Sequence, residues 1–283
     1  MRRVYYGLLT CLIIILIGAV PAMFQDGIHL SVQFYFQNVW HNFSRLLTPW
    51  EITYHPNIAI GRTLFPNYWD PYLYTLFIFF TSLFSAFIFS LLLTYFTLFL
   101  RQKSIKRIQF VLSLLEAVPD IFVIVVFQVI VIWIFEETGI LVFSIVAYDT
   151  IYFLPIVCLA LFPSVLYYRV MLLAFEEELG QPYVDFAKGG GMTKRFIILV
   201  HVLRNSLISI FNHSKYIIWF ALSNYVMIAV IFNMHGVIWF VMENRTPTII
   251  TVTLLFLFLP IYILLSLVGV TIEKITGQKA ALR

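Results

Sequence analysis

The sequence predicts an all-α polytopic membrane protein with six transmembrane helices. Three observations carry that expectation. Of 283 residues, 61% are hydrophobic and 11% charged, with a mean hydropathy of +0.94, whereas soluble domains are about half apolar and about a quarter charged. Six stretches are long and apolar enough to cross a bilayer. The cations lie predominantly on one side of those stretches. A soluble enzyme is excluded because its core would lack a polar surface to cover it. A disordered or fibrous chain is excluded because aromatics reach 18% while Gly (12) and Pro (11) are ordinary in number.

The expected spans run over about 4–24, 71–100, 108–135, 150–168, 207–232 and 248–271, within one membrane domain over 1–283. The first opens with Arg2 and Arg3 and reaches Val20-Pro21-Ala22, which imitates a secretory signal. Its apolar core is long enough to span, and it is read as uncleaved. The second and third are long, so they tilt or extend beyond the bilayer. From Ile121 to Ile134 only Gln128 interrupts the apolar run, which is incompatible with the alternating strands of a barrel. The apolar segment 139–148 stops at Asp149 and is expected to form a short interfacial helix leading into the fourth span.

The amino end carries Arg2 and Arg3, the segment after the second span Arg101, Lys103, Lys106 and Arg107, and the segment after the fourth Arg169, Lys188, Lys194, Arg195 and Arg204. With Lys274, Lys279 and Arg283 these make 14 of the 18 cations. The opposite side has Arg45, Arg62 and Arg245, and Lys215 lies near a span end. The positive-inside rule therefore places both termini in the cytoplasm, as an even number of spans requires. Cys11 and Cys158 both lie in apolar runs and offer neither a disulfide framework nor metal-ligand spacing.

Two polar segments are too long to be turns. In the outer one, 25–70, Val32, Phe36, Val39/Trp40, Phe43 and Leu46/Leu47 recur at helical spacing. This predicts an amphipathic helix lying on or near the outer membrane face, or packed on the ends of the spans. Trp40, Trp50 and Trp69 fit interfacial anchoring. The inner segment, 169–205, opens with Glu176-Glu177-Glu178 and continues Pro182-Tyr183-Val184-Asp185-Phe186-Ala187-Lys188 into Gly189-Gly190-Gly191. Pro182 suits a first helical turn, and the glycines stop the helix. A short helix is expected, with Tyr183, Phe186 and Ala187 on one face as an aromatic docking knob.

This segment resembles the EAA signature of permease subunits of binding-protein-dependent ABC importers. Asp185-Phe186-Ala187, then Lys188 to Gly190, then Gly191 fits its pattern. The continuation His201-Val202-Leu203-Arg204-Asn205-Ser206-Leu207-Ile208, with Tyr183-Val184 before the signature, is similar to the oligopeptide/dipeptide/nickel branch. Val32 to Tyr35, Leu46-Leu47, Pro71 with Thr75-Leu76, Leu154-Pro155, Arg169 and Met171 extend the likeness over most of the chain. The acidic position is Asp185, Phe186 replaces a small residue, and Met234-His235-Gly236-Val237 reduces a Gly-rich element, so the resemblance is to a divergent member.

The resemblance implies a type I ABC importer transmembrane-domain fold in a bacterial plasma (inner) membrane. It implies cytoplasmic ATPase subunits, a second permease subunit (a paralogue or a second copy), and an extracytoplasmic solute-binding protein. Segment 169–205 would be the coupling loop, with Pro182, Tyr183, Val184, Asp185, Phe186, Ala187, Gly191 and Arg204 as the ATPase-coupling residues. The substrate would be a small solute, peptide-like or nickel.

No Walker-type Gly-x4-Gly-Lys-Ser/Thr run and no Gly-x-Ser-x-Gly elbow occurs in the chain. No catalytic residue is expected, and ATP and Mg²⁺ would be bound by the partner ATPase. The histidines at 29, 41, 55, 201, 213 and 235 show no paired metal-ligand spacing, and neither a metal nor a nucleic-acid partner is expected. Asp120, Gln128 and Asn224 are candidates for the translocation pathway, since polar groups at membrane depth are costly. Interhelical hydrogen bonding is the simpler role for Gln128, Asn224 and Asn233. Glu116, one turn before Asp120, is the weaker candidate, near the basic Lys106 and Arg107. The alternative reading is a stand-alone secondary transporter using Asp120 as a proton or ion site. It would show internal repeats, and none is visible between the two halves.

Overall fold

A computed structural model describes residues 2–24, 31–54, 61–139 and 150–277. The protein is an all-α polytopic membrane protein. Among the described residues, six helices are long and apolar enough to cross a membrane. Helix α1 (Arg2–Gly18) runs on into a 3-10 turn (Val20–Phe24), and α2 (Val32–Leu47) follows. A two-stranded antiparallel ribbon pairs β1 (Thr53–Tyr54) with β2 (Arg62–Thr63), placing Thr53 opposite Thr63. Then come α3 (Leu64–Asn67), α4 (Trp69–Thr97), α5 (Gln102–Ala117), α6 (Asp120–Thr138), α7 (Phe153–Leu179) and α8 (Pro182–Gly189). The short α9 (Lys194–Phe196) passes through a π-helical stretch (Ile197–Val202) into α10 (Leu203–Ile231). Helices α11 (Val237–Glu243) and α12 (Pro247–Thr276) complete the order.

The span expected over 108–135 is interrupted. Pro119 has no amide hydrogen and disfavours helix in the residue before it. Val118 is accordingly extended (φ −86°, ψ 133°), so α5 ends there and the apolar span is α6 alone. The fourth span, expected to end near 168, continues to Leu179. Arg169 does not terminate it, because its guanidinium pairs with Glu116 at 2.7 Å and donates to Ser113 Oγ at 2.8 Å. Beyond it, Met171, Leu172, Ala174 and Phe175 are buried. The fifth span begins earlier than expected, at Lys194. The helix expected over 139–148 lies outside the described residues save for Gly139, whose left-handed φ of 68° closes α6.

The chain divides into two compact units. One comprises Met1–Leu76 and Asn233–Ser266. Its core gathers Ile52, Leu64, Tyr68 and Tyr72 with Val237, Phe240, Ile249 and Val252. The polar ends of the aromatics are satisfied there: Tyr68 donates to Thr253 Oγ1 at 2.9 Å and Tyr72 to the Phe256 carbonyl at 3.1 Å. Small residues let α1 approach α12 closely, as in packed membrane helices. A methyl group added at Gly18 would lie 2.1 Å from Thr251 Oγ1 and 3.0 Å from its Cα. Gly18→Ala is therefore expected to destabilise by roughly 1–3 kcal/mol, the usual cost of overpacking, read as a lowered melting temperature in detergent. An unchanged melting temperature would show that the two helices do not touch at Gly18.

The other unit comprises Phe77–Phe232 and Leu267–Arg283. Its core runs from α4 through the buried face of α7 (Tyr167, Tyr168, Met171, Phe175) to Ile197, Ile198 and Val202 of the π-helical stretch. Buried hydroxyls bridge helices as well as their own backbone. Ser90 Oγ is 2.6 Å from both the Ala86 and the Ser164 carbonyls.

Candidate functional site

The segment between α7 and α10 folds into a small, well-anchored platform. Leu179 ends α7, Gly180 and Gln181 turn the chain, and Pro182 opens α8 at its first position, where a missing amide costs nothing. One face of α8 is seated. Val184 is fully buried and Ala187 nearly so, in one apolar cluster with Met171 and Phe175 of α7 and Ile197 and Ile198 beyond. The opposite face carries Phe186, 86% exposed, beside Asp185. The expectation that Tyr183, Phe186 and Ala187 form one exposed aromatic face is thus corrected. Ala187 is inside, Tyr183 is half-buried and Phe186 alone projects. The apolar cluster takes in the side that holds Val184 and Ala187, which leaves Phe186 outward.

The glycine run ends α8 by a specific device. The Met192 amide donates to the Ala187 carbonyl at 3.1 Å and the Gly191 amide to the Lys188 carbonyl at 3.0 Å. This is the Schellman pairing, and Gly191 holds the left-handed conformation it needs (φ 81°). Gly189 has ordinary helical φ and open space around it. Gly191→Ala should therefore cost about 1–2 kcal/mol, while Gly189→Ala is neutral or slightly stabilising. Thermal unfolding of the two variants checks this, and equal melting temperatures would contradict the assignment.

Polar ties hold the platform to its surroundings. The Tyr183 hydroxyl donates to Glu178 Oε2 at 2.8 Å. Burial, and then the bond to Glu178, pushes its pKa up to about 12, against a smaller lowering by Asn205. With a raised pKa the phenol stays a neutral donor. The tie is complete below the ordinary value of 10.0 and is lost as pH rises toward about 12. Arg204 donates to the Ile275 carbonyl through Nε (3.2 Å) and Nη2 (2.7 Å), capping the last turn of α12 with a cation. Lys194 does the same for α4: its ammonium reaches the Leu98 carbonyl and lies 5.0 Å from the Phe99 ring centre. Ser206 Oγ donates to the Ala174 carbonyl at 3.3 Å, bonding α10 to α7. The Asp185–Lys188 pair (2.9 Å) is exposed on both sides and contributes little.

The eight coupling candidates are brought together, but in different roles. Pro182 and Gly191 delimit α8, Val184 and Ala187 seat it, Tyr183 ties it to the end of α7, and Asp185 and Phe186 face outward, while Arg204 bonds the start of α10 to the end of α12. The contacts of Lys194 with Leu98 and of Arg169 with Glu116 were not expected, although Lys194 and Arg169 lie within the expected loop segment. Their partners lie far away in sequence, and no local pattern points to them.

The pathway candidates lie on two helices, α6 and α10. Asp120 is half-buried in the first turn of α6, where a carboxylate suits the helix dipole. Gln128 lies further along the same helix, and Asn224, also half-buried, is on α10. Glu116 sits against Arg169, not among Lys106 and Arg107 as expected. Asn233 takes the left-handed turn (φ 49°) after α10, a helix-ending role common to Asn. Cys11 and Cys158 are free thiols. His29 and His55 lie outside the described residues, which themselves contain no cluster of His, Cys, Asp or Glu able to hold a metal.

No known family model and no curated protein matches this chain.

Proposed function

We propose that the chain is a permease subunit of a binding-protein-dependent ABC importer, of the oligopeptide/dipeptide/nickel type, with α8 as its coupling helix. The observation that carries this reading is Phe186. A large apolar side chain stands out from a short helix whose other face is locked by packing and hydrogen bonds, within the segment bearing the EAA-like residues. An exposed aromatic on a rigid base is suited to fill a pocket on a partner. The partner on this reading is an ABC ATPase subunit that binds ATP and Mg²⁺.

Closure of the ATPase pair would move α8, and the ties pass that displacement on. Val184 and Ala187 push on α7 and the π-helical stretch, Arg204 carries it to the end of α12, and Lys194 to the end of α4. A rigid-body rearrangement of the spans, biased by ATP, then switches access between the two membrane faces. A second permease subunit completes the pathway, and an extracytoplasmic solute-binding protein delivers a small, peptide-like solute. The cation distribution supports cytoplasmic termini, and the family resemblance implies a bacterial inner membrane. On this reading the chain itself is not an enzyme.

Uptake of a labelled dipeptide by cells that depend on this chain tests the energetics. ATP depletion should stop it, and a protonophore at maintained ATP should not. The reverse pattern would favour the secondary-transporter alternative.

A further inference from the structure

Helix α2 is built inside out for a soluble environment. Its seated face carries Tyr35, Asn42 and Leu46. Tyr35 donates to the Leu16 carbonyl of α1 at 3.2 Å. Asn42, fully buried, donates to Thr251 Oγ1 at 3.1 Å and accepts from Thr248 Oγ1 at 2.8 Å, both at the start of α12. Its apolar stripe (Val32, Phe36, Trp40, Phe43 and Leu47) faces outward instead, with Trp40 70% exposed. The spacing i, i+4, i+8, i+11, i+15 keeps those five side chains on one line of the helix. Trp40 and Phe43 already stack at 6.1 Å. Beside that line, turned further around the helix, run the exposed Gln33, Gln37 and His41, with the partly exposed Phe34 at the far edge of that side.

We propose that α2 lies in the lipid–water interface, with the Val32–Phe36–Trp40–Phe43–Leu47 stripe embedded among lipid chains and the Gln33–Gln37–His41 side facing water. Four observations select lipid as the occupant. The helix has three distinct sides (protein, apolar and polar), and an interfacial helix on a membrane protein needs that division. It is bonded where α1 ends and α12 begins, at the level where a span leaves the hydrocarbon. The exposed apolar residues Leu8, Leu12, Leu16 and Ile17 of α1 present the adjoining lipid-facing surface, which α2 continues. Finally, Arg45 is the sole charged residue of α2, and by helical spacing it lies off the apolar stripe, reaching toward Glu51 at 3.8 Å. Insertion of the stripe therefore takes no charge with it, and aromatics are the residues that favour this depth.

This inference is independent of the coupling reading. The test uses the full chain with Cys11 and Cys158 replaced by Ser, reconstituted in phosphatidylcholine bilayers. Spin labels are attached at Phe36→Cys, Trp40→Cys and Gln37→Cys, all exposed positions. Oxygen concentrates in hydrocarbon and a nickel chelate stays in water. The oxygen-to-nickel collision ratio should be several-fold higher at positions 36 and 40 than at 37. In the unlabelled native chain, brominated lipid should quench tryptophan fluorescence more than in Trp40→Phe. Equal ratios at the three positions would overturn the proposal, as would a water-accessible position 40 that becomes shielded only when a soluble protein is added.

Discussion

Phe186→Asp is expected to abolish ATP-driven uptake and to weaken ATPase association while leaving the folded protein intact. Phe186 is 86% exposed, so an aspartate there buries no charge. Surface changes of this kind stay within about 0.5 kcal/mol of the parent stability. In a complex the loss is larger. Filling a pocket with a phenylalanine contributes about 1.5–3 kcal/mol, and that corresponds to a factor of about 10 to 150 in dissociation constant. A carboxylate forced into the same pocket adds its own desolvation cost. Membrane insertion, expression and melting temperature should match the parent. Uptake at parental rate in this variant would remove α8 from any coupling role.

Val184→Asp should fail differently. The two positions are separated by one residue in sequence, but Val184 has no exposed surface and belongs to the buried apolar cluster that includes Met171, Phe175, Ile197 and Ile198. An uncompensated charge in such a place costs roughly 3–5 kcal/mol, a large share of a domain's whole stability. The expected result is a melting temperature lowered by many degrees, poor yield in detergent and no transport. Both variants lose function, but only Phe186→Asp loses it from a folded protein. A Val184→Asp protein as stable as its parent would mean that α8 is not seated as described.

The spans were legible because bilayer thickness converts directly into a run length of apolar residues. Their ends were less so. The break before Asp120 has a local cause in Pro119, whose backbone effect is readable. The continuation of α7 past Arg169 has none, because Glu116 and Ser113 are brought to it only by the fold. At α8 the same division holds. Pro182 and Gly191 mark the helix limits by their own backbone chemistry. Which side of it is exposed was decided by the packing of α7 and the π-helical stretch. Helical spacing alone therefore grouped Phe186 with the buried Ala187. On α2 the apolar periodicity was visible, but its outward orientation depends on the buried bonds of Asn42 with Thr248 and Thr251.

Arg204 shows a related limit. A cation following a signature loop reads equally well as a partner contact or as a topology marker. Its two bonds to the Ile275 carbonyl make it a helix cap. Any effect of Arg204→Ala should then arise from a loosened end of α12, and should be partly rescued by Arg204→Lys, which keeps the cation and can make one of the two bonds.

The most direct measurement is site-specific photocross-linking from position 186. A benzoylphenylalanine placed there, in the full chain in its native membrane, samples whatever touches the tip of α8. The account predicts an adduct with a protein carrying a Gly-x4-Gly-Lys-Ser/Thr nucleotide-binding loop, identified by mass spectrometry, and its yield should change when ATP is trapped with vanadate. Adducts with lipid alone, or with proteins lacking that loop, would contradict it.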